Sequence, residues 1–511
     1  MSRGSSTKRF IDGVLFGYVH MFIDGAIRLI TMPLLLTWLG PQAMGFRAAV
    51  LEIIGYFQKI NPGTSQTMQA LIEREIRPDA DPHKIEETKG LLSLGVVIQT
   101  VLAILSLLGV LLLAFNMDFI TEELHSEDLT GSIFFVACMG LVLTITLWGS
   151  HHSAILTGQQ YHKELELAFL TMKIVQAVLT ILLVWIGYRL WGMAIAVVLG
   201  SVAFYAMRKY YSDRSGLIVK RSTLNHHKAD VAMMLGTSGW MLLATIGDAM
   251  GLQSYRLLAA VLPGMGLEAA NQVSILFVLP LLAAQMLAFA GDLVRPALKQ
   301  KYHAGEFGDD MWPTAKLYLQ MTAMLAVIIF ISSTALNQSF ISLWVGEQYF
   351  AGNLSNQALT GMLALWVWTA GLKNMLYVRD EMRLRGICSF AEGALVVALS
   401  VYLGIHYGVA AMFTGGAIAI AIFSTPVYAW FLTNRFKFKF SAWSMILQVA
   451  WYPALVTAVF YYFREYTIID TDSWWVLIGY AALVGLACLV VSAAWLWKPM
   501  TPYVLKALRR T

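Results

Sequence analysis

Three ionisable residues follow one another at four-residue steps inside the first long apolar stretch of the chain. They are His20, Asp24 and Arg28, and Asp24 lies near the middle of the stretch. Four residues advance an α-helix by about 400°, so all three side chains lie close to one face. In a membrane-spanning helix such residues usually face a water-filled cavity or a partner, because burial at mid-bilayer costs at least about 2.5–3.5 kcal/mol. The stripe predicts a cavity lining that binds charge or carries protons, with a local Asp24–Arg28 pair as the alternative.

Two other apolar stretches carry ionisable pairs. Glu52 and Lys59 lie seven residues apart, which also puts them on one helical face. For this pair, structural pairing and cavity lining both remain open. Asp248 lies near the centre of a later stretch, with Arg256 about two turns further along. When the two halves of the chain are aligned, Asp24 falls opposite Asp248, and two acids facing each other across a cleft would suit a substrate site or a proton relay.

Lys173 and Glu392 fall at equivalent positions of the two halves but have opposite charge. A pair that bridges the halves and two separate structural roles both remain open. Arg47 and Lys373 lie near predicted helix ends, so we expect their charges to reach the membrane interface. The remaining central residues comprise as many acids as bases, and they predict no strongly cationic cavity.

The composition identifies the elements that must hold these residues. The chain has 511 residues, of which 58% are hydrophobic and 13% are charged, and its mean hydropathy is +0.64. A soluble domain carries roughly 25% charged residues, so we predict a polytopic membrane protein. The net charge of +5 is too small to indicate nucleic-acid binding. Cys138, Cys388 and Cys488 have no metal-ligand spacing, so we predict no disulfide, metal or other cofactor. The chain has no Walker motif, so we predict that transport is not coupled to ATP hydrolysis within this chain.

A spanning helix needs about 20 mostly apolar residues, and the chain contains fourteen such stretches. They lie near 10–38, 43–71, 90–115, 131–156, 163–187, 190–208, 230–262, 266–294, 314–337, 356–378, 384–404, 408–433, 442–463 and 474–497.

The distribution of basic residues predicts the orientation of these spans. With the N-terminus inside, 28 of the 36 Lys and Arg residues fall in inner segments, and only Arg189 and Arg464 fall in outer loops. Positive charge is retained on the cytoplasmic side, so we predict that both termini are cytoplasmic. The polar start "MSRGSSTKRF" is not followed by a short apolar core with a cleavage site, and it predicts no removable signal peptide.

An internal repeat predicts the architecture. The passage "LTWLGPQAMGFRAAVLEI" at 36–53 resembles "LAAVLPGMGLEAANQVSI" at 258–275, and Gly192 and Gly408 follow matching short outer turns. Each half crosses an even number of times, so the repeat is parallel, with a pseudo-two-fold axis along the membrane normal. We predict an all-α integral membrane protein with two six-helix lobes and a C-terminal helix pair. The predicted parts are an N-lobe 1–208, a cytoplasmic connector 209–229, a C-lobe 230–433 and a terminal segment 434–511.

The chain resembles the polysaccharide (O-antigen type) flippases of the multidrug/oligosaccharidyl-lipid/polysaccharide exporter superfamily. The resemblance rests on the six-plus-six-plus-two plan, on "LGPQAMG" after the first span and on "FISLWVGEQYF" after the ninth. It covers roughly residues 10–433, and its motifs are loose patterns without a catalytic signature. It implies a bacterial inner-membrane protein that moves an undecaprenyl-pyrophosphate-linked oligosaccharide from the cytoplasmic to the periplasmic leaflet by alternating access. The product would serve surface polysaccharide such as the O-antigen of lipopolysaccharide.

A pyrophosphate-bearing substrate would need basic partners in the spans. Arg and Lys are the usual phosphate partners, so we assign substrate binding to Arg28, Lys59 and Arg256 on the leading helices of the halves. The residues assigned to ion coupling or cavity lining are Asp24, Asp248, His20, Glu52, Lys173 and Glu392. A proton or sodium ion could serve as the coupling ion, and a polymerase or other polysaccharide assembly protein as a partner.

Three other functions remain as alternatives. A multidrug/cation antiporter would use the central acids, and the lipid II flippase belongs to the same superfamily. A polytopic glycan polymerase or ligase would need a substantial outer loop with Arg, His or carboxylates. The longest outer connections here are only about 15 residues and nearly free of Lys and Arg, which argues against an enzyme.

Overall fold

Long apolar helices dominate the chain, as the fourteen hydrophobic stretches predict. A computed structural model describes residues 3–59, 62–75, 82–117, 124, 126–217, 228–285, 298–299, 302, 305, 310–379 and 381–508. No strand occurs in these ranges, so the all-α prediction is confirmed. Nine helices in them are long and apolar enough to cross a membrane, or ten if a helix pair bent by 44° counts as one span. The count of fourteen spans stays a prediction.

From the N-terminal end, the described helices are α1 (Arg3–Leu39), α2 (Pro41–Gln58), α3 (Pro62–Glu75), α4 (Pro82–Ala114), α5 (Ser126–Trp148), α6 (Ser150–Gly158), α7 (His162–Leu183), α8 (Arg189–Arg214) and α9 (Lys228–Val261). They are followed by α10 (Leu267–Leu276), α11 (Val278–Gln285), α12 (Trp312–Trp344), α13 (Asn353–Val378), α14 (Met382–Tyr407), α15 (Val409–Ala419), α16 (Thr425–Phe436), α17 (Ala442–Tyr462), α18 (Arg464–Thr467) and α19 (Trp474–Leu508).

Prolines and π-turns divide several spans. The predicted span 43–71 consists of α2 and α3, and α3 begins at Pro62, where proline is favoured because its missing N–H needs no partner. The bend between α10 and α11 lies just before Pro280, whereas Pro33 remains inside the continuous helix α1. A π-turn at Val184–Tyr188 joins α7 to α8, and another at Ile420–Ser424 joins α15 to α16.

The chain folds as two compact units. The first comprises residues 1–249 and 266–271, and the second comprises 250–265 and 272–511. In the first unit α7 packs against α1 and α8, α5 packs between α4 and α8, and α3 packs against α6. The predicted lobe boundaries remain predictions, and residues 218–227 of the predicted connector lie outside the described ranges.

In the second unit the terminal helices are part of the packing. Helix α12 packs against α13, α17 and α19, and α16 packs against α17. Much of α19 is exposed and apolar, with Leu483, Leu486 and Leu489 all about 60% exposed or more. Such a face is expected of a helix whose solvent on that side is lipid. A buried cluster around Leu376, Tyr428 and Phe436 forms part of the core of this unit.

Two glycines explain the sequence "LGPQAMG" at the turn from α1 to α2. Gly40 has a φ of 83°, a left-handed conformation that glycine adopts without a steric cost. Gly45 packs directly on the backbone carbonyl of Leu267, and a Cβ at position 45 would overlap that carbonyl oxygen. The motif therefore makes a tight turn and then a close approach between α2 and the start of α10.

Candidate functional site

The ionisable stripe of α1 lies against α7 in the first unit. Asp24 Oδ2 lies 2.6 Å from Arg28 Nη2, and Asp24 Oδ1 lies 3.0 Å from Lys173 Nζ. One carboxylate thus holds two cations, the first four residues along its own helix and the second on α7. The local pair expected as the alternative to a cavity lining does form, but Lys173 extends it to a three-residue cluster.

His20 forms the second contact of the stripe. Its Nδ1 lies 2.7 Å from Glu166 Oε2, and its ring stacks on Phe169 with a centroid distance of 5.7 Å. Sequence reasoning missed Glu166. The signal was present, because Glu166 and Lys173 lie seven residues apart and so on one face of α7.

These contacts give α1 and α7 matched ionic faces. Asp24, Arg28 and Lys173 carry a net charge of +1 when all three are ionised, and Glu166 balances it while His20 is neutral. The Arg28 side chain is 52% exposed and that of Lys173 is 28% exposed, whereas Asp24 is 17% exposed. Both cations are therefore more exposed than the carboxylate that they share, and they could exchange Asp24 for an anionic ligand. We name Asp24, Arg28 and Lys173 the Asp24 cluster.

The other predicted residues of the first unit lie on α2 and α9. Asp248 lies within electrostatic range of Lys59, and both residues are only partly buried. Glu52 is 4% exposed, so it lies in the interior of the unit rather than on an open surface. Since the oxygens of Asp24 hold Arg28 and Lys173, the structure places each of the two central acids beside a base.

In the second unit Glu392 pairs with Lys373 rather than with Lys173. Lys373 Nζ lies 2.9 Å from both Glu392 carboxylate oxygens, and the side chains are 5% and 2% exposed. The expectation that Lys373 reaches the interface is wrong. The ammonium also lies 5.6 Å from the centroid of the Tyr428 ring, inside the apolar cluster. The Lys373 ammonium is buried beside a carboxylate instead of being hydrated at the interface. Glu392 lies on the next helix, and the sequence does not show that the two helices bring these residues together.

Arg256, the third predicted phosphate ligand, lies in the second unit. Its guanidinium carbon is 5.1 Å from the centroid of the Phe277 ring, within the range of a cation–π contact. The residue is partly buried. The structure therefore divides the three predicted ligands, with Arg28 and Lys59 in one unit and Arg256 in the other.

Arg189, one of the two basic residues of the outer loops, has a structural partner. Its Nε and Nη2 donate to the two carboxylate oxygens of Asp128 at 2.8 and 2.6 Å, and Nη2 also donates to the carbonyl of Leu39 at 3.4 Å. This fork ties the turn between α7 and α8 to the start of α5 and the end of α1. This structural contact accounts for Arg189 in an outer loop, so no functional role is needed to explain it.

An apolar cavity of about 730 Å³ lies within the second unit. Alanines of α12 and α13, with Gly361 and Trp368, form one side of it, and none of its lining residues is charged. The opposite side is formed by α17, which contributes Ile446, Ala450, Pro453, Ala454, Thr457 and Tyr461. The lining stretch of α17 is about 22 Å long at 1.5 Å per residue, most of the roughly 30 Å hydrocarbon thickness. Sequence reasoning did not predict this cavity.

The described residues contain no group of three His, Cys, Asp or Glu side chains that could hold a metal ion. Cys388 and Cys488 are buried, and Cys138 is partly buried. Among the described residues, the Asp24 cluster can bind charge and the cavity can bind apolar groups.

Comparison with known proteins gives matches among solved structures. The chain matches no protein-family model and no curated protein sequence. A multidrug resistance MATE family transporter of the MOP superfamily, in an inward-facing conformation, aligns with a TM-score of 0.65 at 15% identity. That match covers 83% of this chain and 98% of the other. The lipid II flippase MurJ, in an inward closed conformation, aligns with a TM-score of 0.64 at 15% identity over 94% of this chain and 98% of its own.

A third similar structure is a MOP superfamily transporter from Pyrococcus furiosus, described as having a binding pocket of reverse polarity that suggests a different function. It aligns with a TM-score of 0.55 at 14% identity and covers 83% of this chain and 93% of its own. All three structures share their arrangement of helices with this chain. The chain therefore has the fold of the MOP superfamily transporters.

Proposed function

We propose that the chain is a flippase that moves an undecaprenyl-pyrophosphate-linked oligosaccharide from the cytoplasmic to the periplasmic leaflet, for surface polysaccharide biosynthesis. It works as an alternating-access carrier without covalent chemistry. It lies in the bacterial inner membrane with both termini in the cytoplasm. A proton or sodium ion is the proposed coupling ion, and a polymerase acting on the flipped glycan is the proposed partner.

The apolar cavity in the second unit is the observation that carries this proposal. Its volume of about 730 Å³ lies within the range of roughly 300–1,000 Å³ that ligand sites occupy. The cavity is partly open and its lining is apolar, so a hydrocarbon chain suits it better than a polar group would. The lining runs along α17 for most of the membrane thickness, which suits a prenyl tail lying parallel to the helix.

Helix α17 also distinguishes this chain from a carrier with twelve spans. It lies in the terminal segment 434–511, beyond the two predicted six-helix lobes. The MurJ match leaves 6% of the 511 residues uncovered, about 31 residues, so it must include part of this segment. The MATE match covers 83% and can omit it. The terminal helices therefore favour a lipid-linked substrate over a drug or cation.

The Asp24 cluster supplies the site for the pyrophosphate. Arg28 and Lys173 share one carboxylate, and both are accessible enough to transfer to phosphate oxygens. Charge-assisted bonds of Arg and Lys to phosphate are strong, and Arg can form two parallel bonds. Lys59 and Arg256 remain proposed ligands of the same substrate, and His20, Glu52, Asp248 and Glu392 remain proposed for coupling or cavity lining.

A lipid II flippase is the second candidate function, because the MurJ structure covers 94% of this chain. It shares the apolar tail and the pyrophosphate with the first candidate and differs in the glycan. The residues described so far therefore serve both functions, and the accumulated lipid distinguishes them.

The test is to delete the gene and to identify the undecaprenyl-linked lipids by mass spectrometry. We expect a complete oligosaccharide to accumulate on the pyrophosphate carrier and surface polysaccharide to be lost. Accumulation of lipid II would establish the second candidate. An unchanged lipid pool would indicate the drug or cation antiporter, and partial glycans would indicate an earlier pathway enzyme.

Two variants test the cavity in the same assay. Ala454→Trp places an indole in the cavity, whereas Leu455→Trp places it on the neighbouring residue, which is 53% exposed. We expect Leu455→Trp to restore surface polysaccharide and Ala454→Trp to restore less than a tenth of it, at equal protein levels. Full restoration by Ala454→Trp would show that the cavity does not hold the tail.

A further inference from the structure

Helix α8 carries a fully buried arginine whose side chain contacts α6 in the first unit. Arg208 is 2% exposed, and its Nη1 donates to Ser153 Oγ at 3.1 Å. Its Nε and Nη2 are buried and have no hydrogen-bond partner among the described residues. No carboxylate among the described residues forms an ion pair with it, and a buried unpaired charge is strongly unfavourable. The Phe204 ring, 3.8 Å from the guanidinium carbon, supplies only a cation–π contact.

The described side chains around Arg208 supply hydrogen-bond donors rather than a carboxylate. Buried His152 has an unpartnered Nδ1, and the rings of His151 and His152 lie 4.0 Å apart. Ser153 already accepts from the guanidinium. Guanidinium groups only donate, and neutral imidazoles donate through one nitrogen. A ligand rich in acceptor oxygens would satisfy these groups, and phosphate is such a ligand.

The second half carries no charge at the same offset of the internal repeat. The internal repeat relates Gly192 to Gly408 by an offset of 216, and the same offset relates Arg208 to Ser424. Ser424 is completely buried in the second unit. The residue at this offset in the second half is thus small and neutral, in contrast to Arg208.

The predicted orientation brings Arg208 towards a surface of the membrane. Arg208 comes six residues before the end of α8, and Lys209 beside it is exposed. The predicted orientation puts this end of α8 at the cytoplasmic side.

We propose that Arg208, with Ser153 and His152, forms a binding site for a phosphate group at the cytoplasmic end of the first unit. The phosphate belongs either to a lipid headgroup of the inner leaflet or to a free phosphate compound. The site is separate from the Asp24 cluster, and it does not depend on which molecule the chain transports.

The experiment measures the thermal unfolding of the purified full-length protein in neutral detergent, with inorganic pyrophosphate, with phosphatidylglycerol or with diacylglycerol. The variants are Arg208→Gln and Arg214→Gln, an exposed arginine on the same helix. Without phosphate, we expect Arg208→Gln to unfold at or above the wild-type temperature, because an unpaired buried charge is removed. Phosphate should raise the unfolding temperature of the wild type and of Arg214→Gln, and Arg208→Gln should bind at least tenfold more weakly.

Gly149→Ala provides a second variant that keeps the charge. A Cβ at this position would lie 2.7 Å from Nη2, so it should displace the guanidinium and weaken phosphate binding. Stabilisation by pyrophosphate identifies a free phosphate compound, and stabilisation by phosphatidylglycerol but not by pyrophosphate or diacylglycerol identifies a headgroup. The proposal is overturned if neither phosphate source stabilises the wild type, if Arg208→Gln responds equally, or if it unfolds well below the wild type without phosphate.

Discussion

Two carboxylates in this chain hold lysines in contrasting surroundings. Asp24 is 17% exposed and shares its charge between Lys173 and a half-exposed arginine. Glu392 is 2% exposed and holds a lysine that is equally buried. The greater exposure of Arg28 and Lys173 permits them to change partners. The Glu392 pair is fixed, because either charge would be buried without a partner if the other moved away.

Breaking the buried pair from one side should therefore destabilise the protein. Lys373→Met leaves the Glu392 carboxylate without its ammonium, and we expect a loss of about 3–5 kcal/mol in the free energy of unfolding. The double variant Lys373→Met/Glu392→Met should recover most of it, because no buried charge remains. Thermal unfolding in detergent checks both, and a double variant less stable than the single one would contradict this account. Lys89→Met, in an exposed pair with Glu86, is the control and should cost about 0–1 kcal/mol.

Neutralising Asp24 should impair transport rather than folding. Asp24→Asn removes the charge that Arg28 and Lys173 share, so the two cations repel each other and lose their position. We expect Asp24→Asn to restore less than a tenth of the surface polysaccharide in a deletion strain, and Asp24→Glu to restore more, at equal protein levels. Wild-type polysaccharide with Asp24→Asn would remove the cluster from the proposed mechanism.

The sequence reveals contacts along one helix but not those between helices. The four-residue spacing was enough to predict that Asp24 and Arg28 share a face. Lys173 lies 145 residues further along in the sequence than Arg28, and only the packing of α7 on α1 brings it to Asp24. Lys373 was wrongly assigned to the interface because its distance from a helix end says nothing about the carboxylate on the neighbouring helix.

Helix ends and helix approaches depend on a few glycines and prolines. The motif "LGPQAMG" carries out two tasks, a turn at Gly40 and the contact of α2 with the start of α10. Sequence analysis identified the motif but not the second task, since Leu267 is far away in the chain. Likewise the predicted span 43–71 is divided before Pro62, because a proline is well placed at a helix start and poorly placed in a helix interior.

A methyl group at Gly45 should separate α2 from α10. In Gly45→Ala the new Cβ would overlap the backbone oxygen of Leu267, and a backbone cannot rotate away as a side chain can. We expect a loss of about 1–3 kcal/mol in unfolding free energy, typical of overpacking. Gly485→Ala in α19, where a Cβ meets no atom within 4 Å, is the matched control and should leave the unfolding temperature unchanged. Equal effects of both variants would mean that the close approach does not matter.

At the scale of the whole molecule, charge and hydropathy predict the class of protein. The packing of distant segments determines the two compact units and the cavity. The excess of basic residues in alternate connections depends only on the membrane, so a sequence is sufficient to detect it. The assignment of residues 266–271 to the first unit and of 250–265 to the second depends on contacts between distant segments. Neither that division nor the cavity against α17 has a local sequence signal.

The predicted orientation can be measured by cysteine labelling. In a background lacking Cys138, Cys388 and Cys488, we would introduce Gln348→Cys in an outer loop or Lys439→Cys in an inner one, both at exposed positions. A membrane-impermeant maleimide applied from the periplasmic side should modify Gln348→Cys and reach Lys439→Cys only after permeabilisation. The reverse pattern would overturn the orientation, and labelling of both without permeabilisation would argue against an odd number of spans between them.

The position of the cavity beside α17 also determines how the protein could be inhibited. Its lining residues include exposed positions such as Ala454 on a helix that faces lipid. A blocking compound would therefore arrive dissolved in the bilayer, and its potency would follow its oil–water partition coefficient as much as its fit. Within a series of equal fit, more lipophilic members would act at lower doses, and resistance would arise through larger side chains at the alanines of the lining.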